Sequence, residues 1–311
     1  MAGDYFPAVF SGKDGTMDFN CFVAEVETGI RDYLPEEVYR NAELKHKEVV
    51  KNNNVKQTGL SVLLPDNRIS PVVYLEPFFE SLNRGEALET ILWDISSALK
   101  KECPALDIDS EKLWDFSAVK DRIIFRLVNK GNNEGYLSGT PHRIIADLAL
   151  IYCIDLISGK GGCATAKITD QMMEAYGTDE DELYSLALRN TPERRPFVFQ
   201  PLQNILSGFL GEGNVTEDAI NTSMYVASNL QNTGGAAVVI YEDFDRKARE
   251  ALGDYYILPS STEEAIVIPK SNVGVGMLKD MVREINRNDV APEQVLSDNV
   301  YEIRDGRLIV A

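Results

Sequence analysis

Residues 143–168 read RIIADLALIYCIDLISGKGGCATAKI, and this stretch decides the fold. Arg143 to Ile157 is the most β-like stretch of the chain, with isoleucine at 144, 145, 151, 154 and 157, and Cys163 to Ile168 reads as a second strand. Between them lies Ser158-Gly159-Lys160-Gly161-Gly162, a turn that needs positive φ, so the stretch reads as a β-hairpin.

On the C-terminal side the period changes. Asp170 to Tyr176 and Glu180 to Leu188 read as helices, the second with Thr178 as its N-cap and acids in its first turn. A strand is expected at Pro196 to Phe199 and a short helix near Leu202 to Leu210. Further strands follow at Ser223 to Ala227 and Ala236 to Tyr241, joined through Asn232 to Gly235. A helix at Asp243 to Leu252 precedes strands Tyr255 to Leu258 and Ala265 to Ile268, then a helix at Met277 to Asn286. The chain closes with a hairpin, Val300 to Ala311, turning at Asp305-Gly306.

On the N-terminal side, Phe19, Phe22, Val23, Val26 and Ile30 recur at three and four residues and mark a helix. Ala42 to Lys51, Val55 to Leu64 and Ile69 to Leu75 read as a strand meander. Its turns fall at Asn52-Asn53-Asn54 and Pro65-Asp66-Asn67. Helices at Phe78 to Arg84, Glu86 to Lys101 and near Ser110 to Phe116 lead to a strand at Arg122 to Val128. Strands in hairpins with helices between them make the class α+β, with antiparallel sheets and helices packed on them. The expected organisation is a flexible extension over 1–16, an N-terminal lobe over 17–168 and a C-terminal lobe over 169–311, with the boundary near 168–192. Phe78, Phe79, Trp93 and Trp114 are assigned to the core.

Acids number 49 against 31 bases, a net charge of −18, split as −7 over residues 1–160 and −11 over 161–311. A field of that sign repels phosphate backbones, so direct nucleic-acid binding is not expected, whereas a basic protein surface is an expected partner. No apolar run spans a bilayer and the N-terminus lacks the pattern of a signal peptide, which points to a cytoplasmic protein. Cys21, Cys103, Cys153 and Cys163 lack CxxC spacing, and the two histidines, His46 and His142, cannot build a His-rich centre, so no metal site or cofactor is expected. Cys153 and Cys163 would face each other only if the hairpin turned about Ser158. A turn centred nearer Lys160 slides them apart.

Four side chains are the candidate catalytic set. His142, ahead of Arg143, could act as a general base beside an anion-binding guanidinium; the competing reading is that the pair orders a strand entry. Ser260 and Ser261 could be nucleophilic, but the glycines of a nucleophile elbow are missing and a polar turn explains them equally. Gly159 to Gly162 is followed by a strand, against a phosphate loop. Thr191 to Pro196, with Arg194 and Arg195, reads as an exposed connector able to grip an anion.

Several phrases together carry a resemblance. They are Ile69-Ser70-Pro71, Val119-Lys120-Asp121-Arg122-Ile123, Pro141-His142-Arg143 and Asp147-Leu148-Ala149, then Gly235-Ala236-Ala237-Val238, Leu258-Pro259-Ser260-Ser261, Met281 to Asn286 and Ala291-Pro292-Glu293. Over about residues 17–303 the chain resembles an uncharacterised family of cytoplasmic proteins from anaerobic gut bacteria, a domain of unknown function. The resemblance implies a bacterial intracellular protein and a shared architecture, and no activity. Where that family often reads Pro-Ser-Ser-Ile-His-Glu, this chain has Pro259-Ser260-Ser261-Thr262-Glu263-Glu264, so a histidine-dependent role at that loop is absent here. The functional expectation is a non-enzymatic acidic interaction or regulatory protein. The alternative is an enzyme or small-ligand binder with a polar site between the lobes near His142 and Arg143.

Overall fold

The computed structural model describes residues 17–35, 42–63, 72–101, 111–159, 162–204, 224–270 and 274–311. It divides into two compact units, residues 1–50 with 56–110 and residues 51–55 with 111–311. The boundary expected near 168–192 lies inside the second of these. Helices accompany three sheets whose strand pairs are all antiparallel, an α+β fold.

In the first unit, α1 (Phe19–Gly29) starts where Asp18 Oδ1 accepts the amide of Cys21 at 2.8 Å. Those amide bonds hold the Asp18 carboxyl below its usual range. Strands β1 (Glu43–Val50), β2 (Lys56–Leu63) and β3 (Val72–Tyr74) form a meander, and α2 (Glu76–Asn83) and α3 (Leu88–Lys101) follow. Phe22, Val26 and Ile30 join Leu60, Val62, Val73, Ile91, Ile95 and Leu99 in one core. Trp93 is not part of it. Its ring stands on the outer face of α3 at 60% exposure, and Trp114 of the second unit is 51% exposed, so both tryptophans are corrected from core to surface. The turn expected at Pro65-Asp66-Asn67 lies outside the described residues.

The second unit is built on residues 143–168. Central strand β6 (Leu148–Gly159) has β4 (Ile123–Asn129) on one side. On the other side β5 (His142–Ile145) and β7 (Gly162–Lys167) lie end to end. The β6–β7 register pairs Gly159 with Gly162 and Ser158 with Cys163, while Cys153 pairs with Lys167. The hairpin therefore centres beyond Ser158, and Cys153 and Cys163 are not cross-strand neighbours. Cys153 is a free, buried thiol, and burial pushes its pKa up.

One long strand expected from Arg143 onward is two strands. Ala146 adopts φ +55° and the chain reverses there without glycine, asparagine or proline. What anchors the reversal comes from far along the chain. The next residue, Asp147, accepts hydrogen bonds from Asn299 Nδ2 at 2.9 Å and from the Tyr301 hydroxyl at 2.5 Å.

After α4 (Asp170–Tyr176), helix α5 (Glu180–Arg194) packs on β4. Its N-cap is Asp179, whose Oδ1 accepts the Glu182 amide at 2.9 Å, and not the Thr178 expected from sequence. The helix also runs past Pro192, correcting the exposed loop expected at Thr191 to Pro196. Polar side chains in its last turns serve the backbone of β4 along its buried sheet edge, where no further strand pairs with it. Thr191 Oγ1 accepts the Phe125 amide at 3.0 Å, and Asn190 Nδ2 donates to the carbonyls of Lys120 and Ile123.

A six-stranded sheet completes the unit, in the order β13-β12-β10-β11-β9-β8. Its strands are β8 (Phe197–Pro201), β9 (Tyr225–Asn229), β10 (Tyr255–Leu258), β11 (Ala265–Pro269), β12 (Tyr301–Arg304) and β13 (Arg307–Val310). Helices α6 (Phe244–Leu252) and α7 (Val275–Asn288) accompany it. The strand expected at Ala236 to Tyr241 is instead a 3-10 helix, Gly235–Ile240, entered through Gly234 at φ +61°. A Cβ on Gly235 would collide with Ser228 Oγ and the Glu263 carbonyl, so only glycine lets this turn pack against β9.

One polar network was not foreseen. Asn133, fully buried, donates through Nδ2 to Asn52 Oδ1 and Asn53 Oδ1, and its Oδ1 accepts the Asn53 amide at 2.8 Å. Asn53 Nδ2 in turn donates to the carbonyls of Pro292 and Val295. The three asparagines read as a turn do form one, with φ +61° at Asn53 and +56° at Asn54.

Candidate functional site

An open cleft of about 880 Å³ lies in the second unit. One wall is the row Tyr184, Leu188 and Pro192 of α5, four residues apart and so on one face of the helix. The opposite side is formed by Pro196 and Phe197, by Ile240 and Tyr241 at the end of the 3-10 helix, and by Arg246 and Lys247 of α6. Phe125 of β4 lies at its buried end. The rings continue into the core. Phe125 meets Tyr241 edge-on at 6.0 Å, Tyr241 meets Phe197 at 6.2 Å, and Phe197 meets Phe244 at 5.8 Å. Tyr241 donates its hydroxyl to the Arg195 carbonyl at 3.0 Å, and burial pushes the phenol above its ordinary pKa. The aromatic floor is thereby fixed from behind. Its volume falls in the range of small-ligand pockets, about 300–1,000 Å³.

Charge at the rim is organised around the rings. Lys247 Nζ lies 4.6 Å from the Phe197 ring centre and 2.7 Å from Asp243 Oδ2. The Arg143 guanidinium lies 3.9 Å from the Tyr184 ring centre and binds the Glu180 carboxylate through two nitrogens, at 3.1 and 2.5 Å. Asp181 takes a further bond from the same guanidinium at 2.5 Å. Arg246 pairs with Glu250 at 3.0 Å. Glu242 lines the cleft, is exposed, and has no ion-pair partner among the described residues. Each basic group at or beside the cleft is thus matched by at least one carboxylate, and Glu242 is left over.

The side chains singled out from sequence are used differently. His142 and Arg143 are neighbours on β5, so they project to opposite faces of the sheet. His142 Nδ1 lies 2.7 Å from the Thr140 carbonyl, which makes it the donor there. Arg143 serves Glu180, Asp181 and the Tyr184 ring, and Tyr152 donates its hydroxyl to the same Glu180. Ser261 Oγ accepts the amides of Glu263 at 3.0 Å and Glu264 at 3.3 Å, the geometry of a polar turn. The Ser260 carbonyl accepts the Leu296 amide at 2.9 Å. Arg194 and Arg195, expected to be exposed, both bind the fully buried Asp155 at 2.8 Å, and Arg195 is itself buried. That cluster ties the end of α5 to β6. Among the described residues no group of three or more His, Cys, Asp or Glu side chains could hold a metal ion, and no helix is long and apolar enough to cross a membrane.

The cleft residues were not singled out from sequence. A signal existed in the row Tyr184, Leu188, Pro192, a second apolar line on a helix whose other face carries Leu183 and Ala187. Its partner across the cleft, Ala236 to Tyr241, reads as a strand, and that hides the convergence. Comparison with known proteins adds a family and no activity. No curated protein and no solved structure matches the chain. The model of a family described as a family of unknown function (DUF5688) matches residues 19–304, and the chain belongs to that family.

Proposed function

We propose that this protein is a non-enzymatic binding protein that takes a basic segment of a partner protein in the cleft of its second unit. The observation that carries the reading is that half-buried aromatic rings of the cleft hold cations that carboxylates flank. Two ring faces already hold a cation, at Tyr184 and at Phe197, and Glu242 stands at the rim with no ion-pair partner among the described residues. Aromatic faces attract ammonium and guanidinium groups by about 0.5–1 kcal/mol at exposed sites and more when water is excluded. A net charge of −18 adds long-range attraction for the same kind of partner and repels nucleic acid. The side chains that sequence offered for catalysis support the same reading, because His142, Arg143 and Ser261 are engaged in strand, helix and turn contacts.

The test is calorimetric titration with an acetylated tetra-arginine amide at low salt, with the tetra-citrulline peptide as the neutral counterpart. Tyr184→Ala combined with Glu242→Gln should weaken the arginine peptide by about tenfold, while the thermal midpoint confirms that the variant is folded. Citrulline should not bind, and added salt should weaken the arginine complex. Equal binding by the wild type and the double variant would place the peptide elsewhere on the acidic surface and end this reading.

A further inference from the structure

Lys247 sits where a ligand cation belongs. Its ammonium is within 4.6 Å of the Phe197 ring centre and 2.7 Å of Asp243, and both Phe197 and Asp243 line the cleft. The side chains of Lys247 and Asp243 are 38% and 41% exposed, so this pair is in contact with water and can open. Lys and Asp one turn apart on a helix hold each other only weakly, by a few tenths of a kcal/mol. The chemistry on offer, an aromatic face backed by a carboxylate, is what an arginine or lysine of a partner would use.

We infer that Lys247 is an internal occupant of a cation subsite formed by Phe197 and Asp243, and that a basic side chain of the partner displaces it on binding. The inference rests on the cleft being the binding site for a basic segment. Displacement costs little, because the released ammonium moves into water. It nevertheless sets a threshold, since an incoming cation must compete with one tethered beside the site. A ligand with a single weakly held charge loses that competition, and a segment with several cations on adjacent residues wins it. Lys247 therefore tunes the cleft toward strongly basic partners.

Lys247→Met keeps the length of the side chain and removes the resident cation, so tetra-arginine should bind about two- to fivefold tighter than to wild type. Arg246→Met removes the same charge from the neighbouring cleft residue, where the guanidinium pairs with Glu250 and not with a ring, and it measures the change produced by losing a cleft charge that occupies no aromatic subsite. The inference is supported if Lys247→Met tightens binding clearly more than Arg246→Met. It is overturned if the two variants tighten equally, or if Lys247→Met leaves binding unchanged or weaker while wild type still binds in the cleft. If neither wild type nor Lys247→Met binds, or if binding ignores Tyr184→Ala with Glu242→Gln, the cleft reading itself fails and the subsite with it.

Discussion

Asp155 illustrates how little a single residue reveals before it is placed. In sequence it interrupts an apolar run; in the structure it has no exposed surface and binds Arg194 and Arg195, which had read as a solvated connector. A charge buried in this way must be paired, since removing either partner leaves the other uncompensated. Glu302 follows the same logic closer to the surface. It is nearly buried between Lys270 and Arg304, and the bond from Lys270 first of all holds its carboxyl below the ordinary 4.5. A depressed carboxyl stabilises the fold above the unfolded pKa, and that contribution is lost as pH falls through the folded value. Glu302→Gln should cost about 2 kcal/mol at pH 7, and urea unfolding should show the gap to wild type narrowing below pH 4.5. A gap that stays constant down to pH 3 would contradict the assigned pairing.

Among the elements, legibility followed the reach of the forces involved. Helix α1, the hairpin at Asp305-Gly306 and the meander turn at Asn52 to Asn54 were readable because periodicity, capping and positive-φ residues are local signals. The break between β5 and β6 was not, because Ala146 carries no turn signal and Asp147 is held by Asn299 and Tyr301. Ala236 to Tyr241 reads as a strand for the same reason, the 3-10 form of Gly235–Ile240 being imposed by close packing on β9. Ala146 is exposed and strained at φ +55°, so Ala146→Gly should relieve the turn without loss of packing. Denaturant unfolding should report a gain of about 0.5–1 kcal/mol. Destabilisation would mean that the left-handed conformation at this position is wrong.

At the scale of the whole molecule, composition gave the charge and the order of hairpins and helices gave the α+β class, but neither gave the cleft. The four candidates His142, Arg143, Ser260 and Ser261 were chosen for chemical type, and the fold uses His142, Arg143 and Ser261 for structural hydrogen bonds. Tyr184, Phe197 and Tyr241 carry no chemical signature in sequence, yet the fold brings them together: Tyr241 is buried, Tyr184 and Phe197 are half-buried against the core, and all three line the open cleft. The most direct measurement is methyl and aromatic NMR of the whole chain during titration with tetra-arginine amide. The account predicts shifts that saturate together at Leu188, Ile240, Tyr184 and Phe197. Shifts scattered over acidic surface positions, with those four signals unmoved, would contradict it.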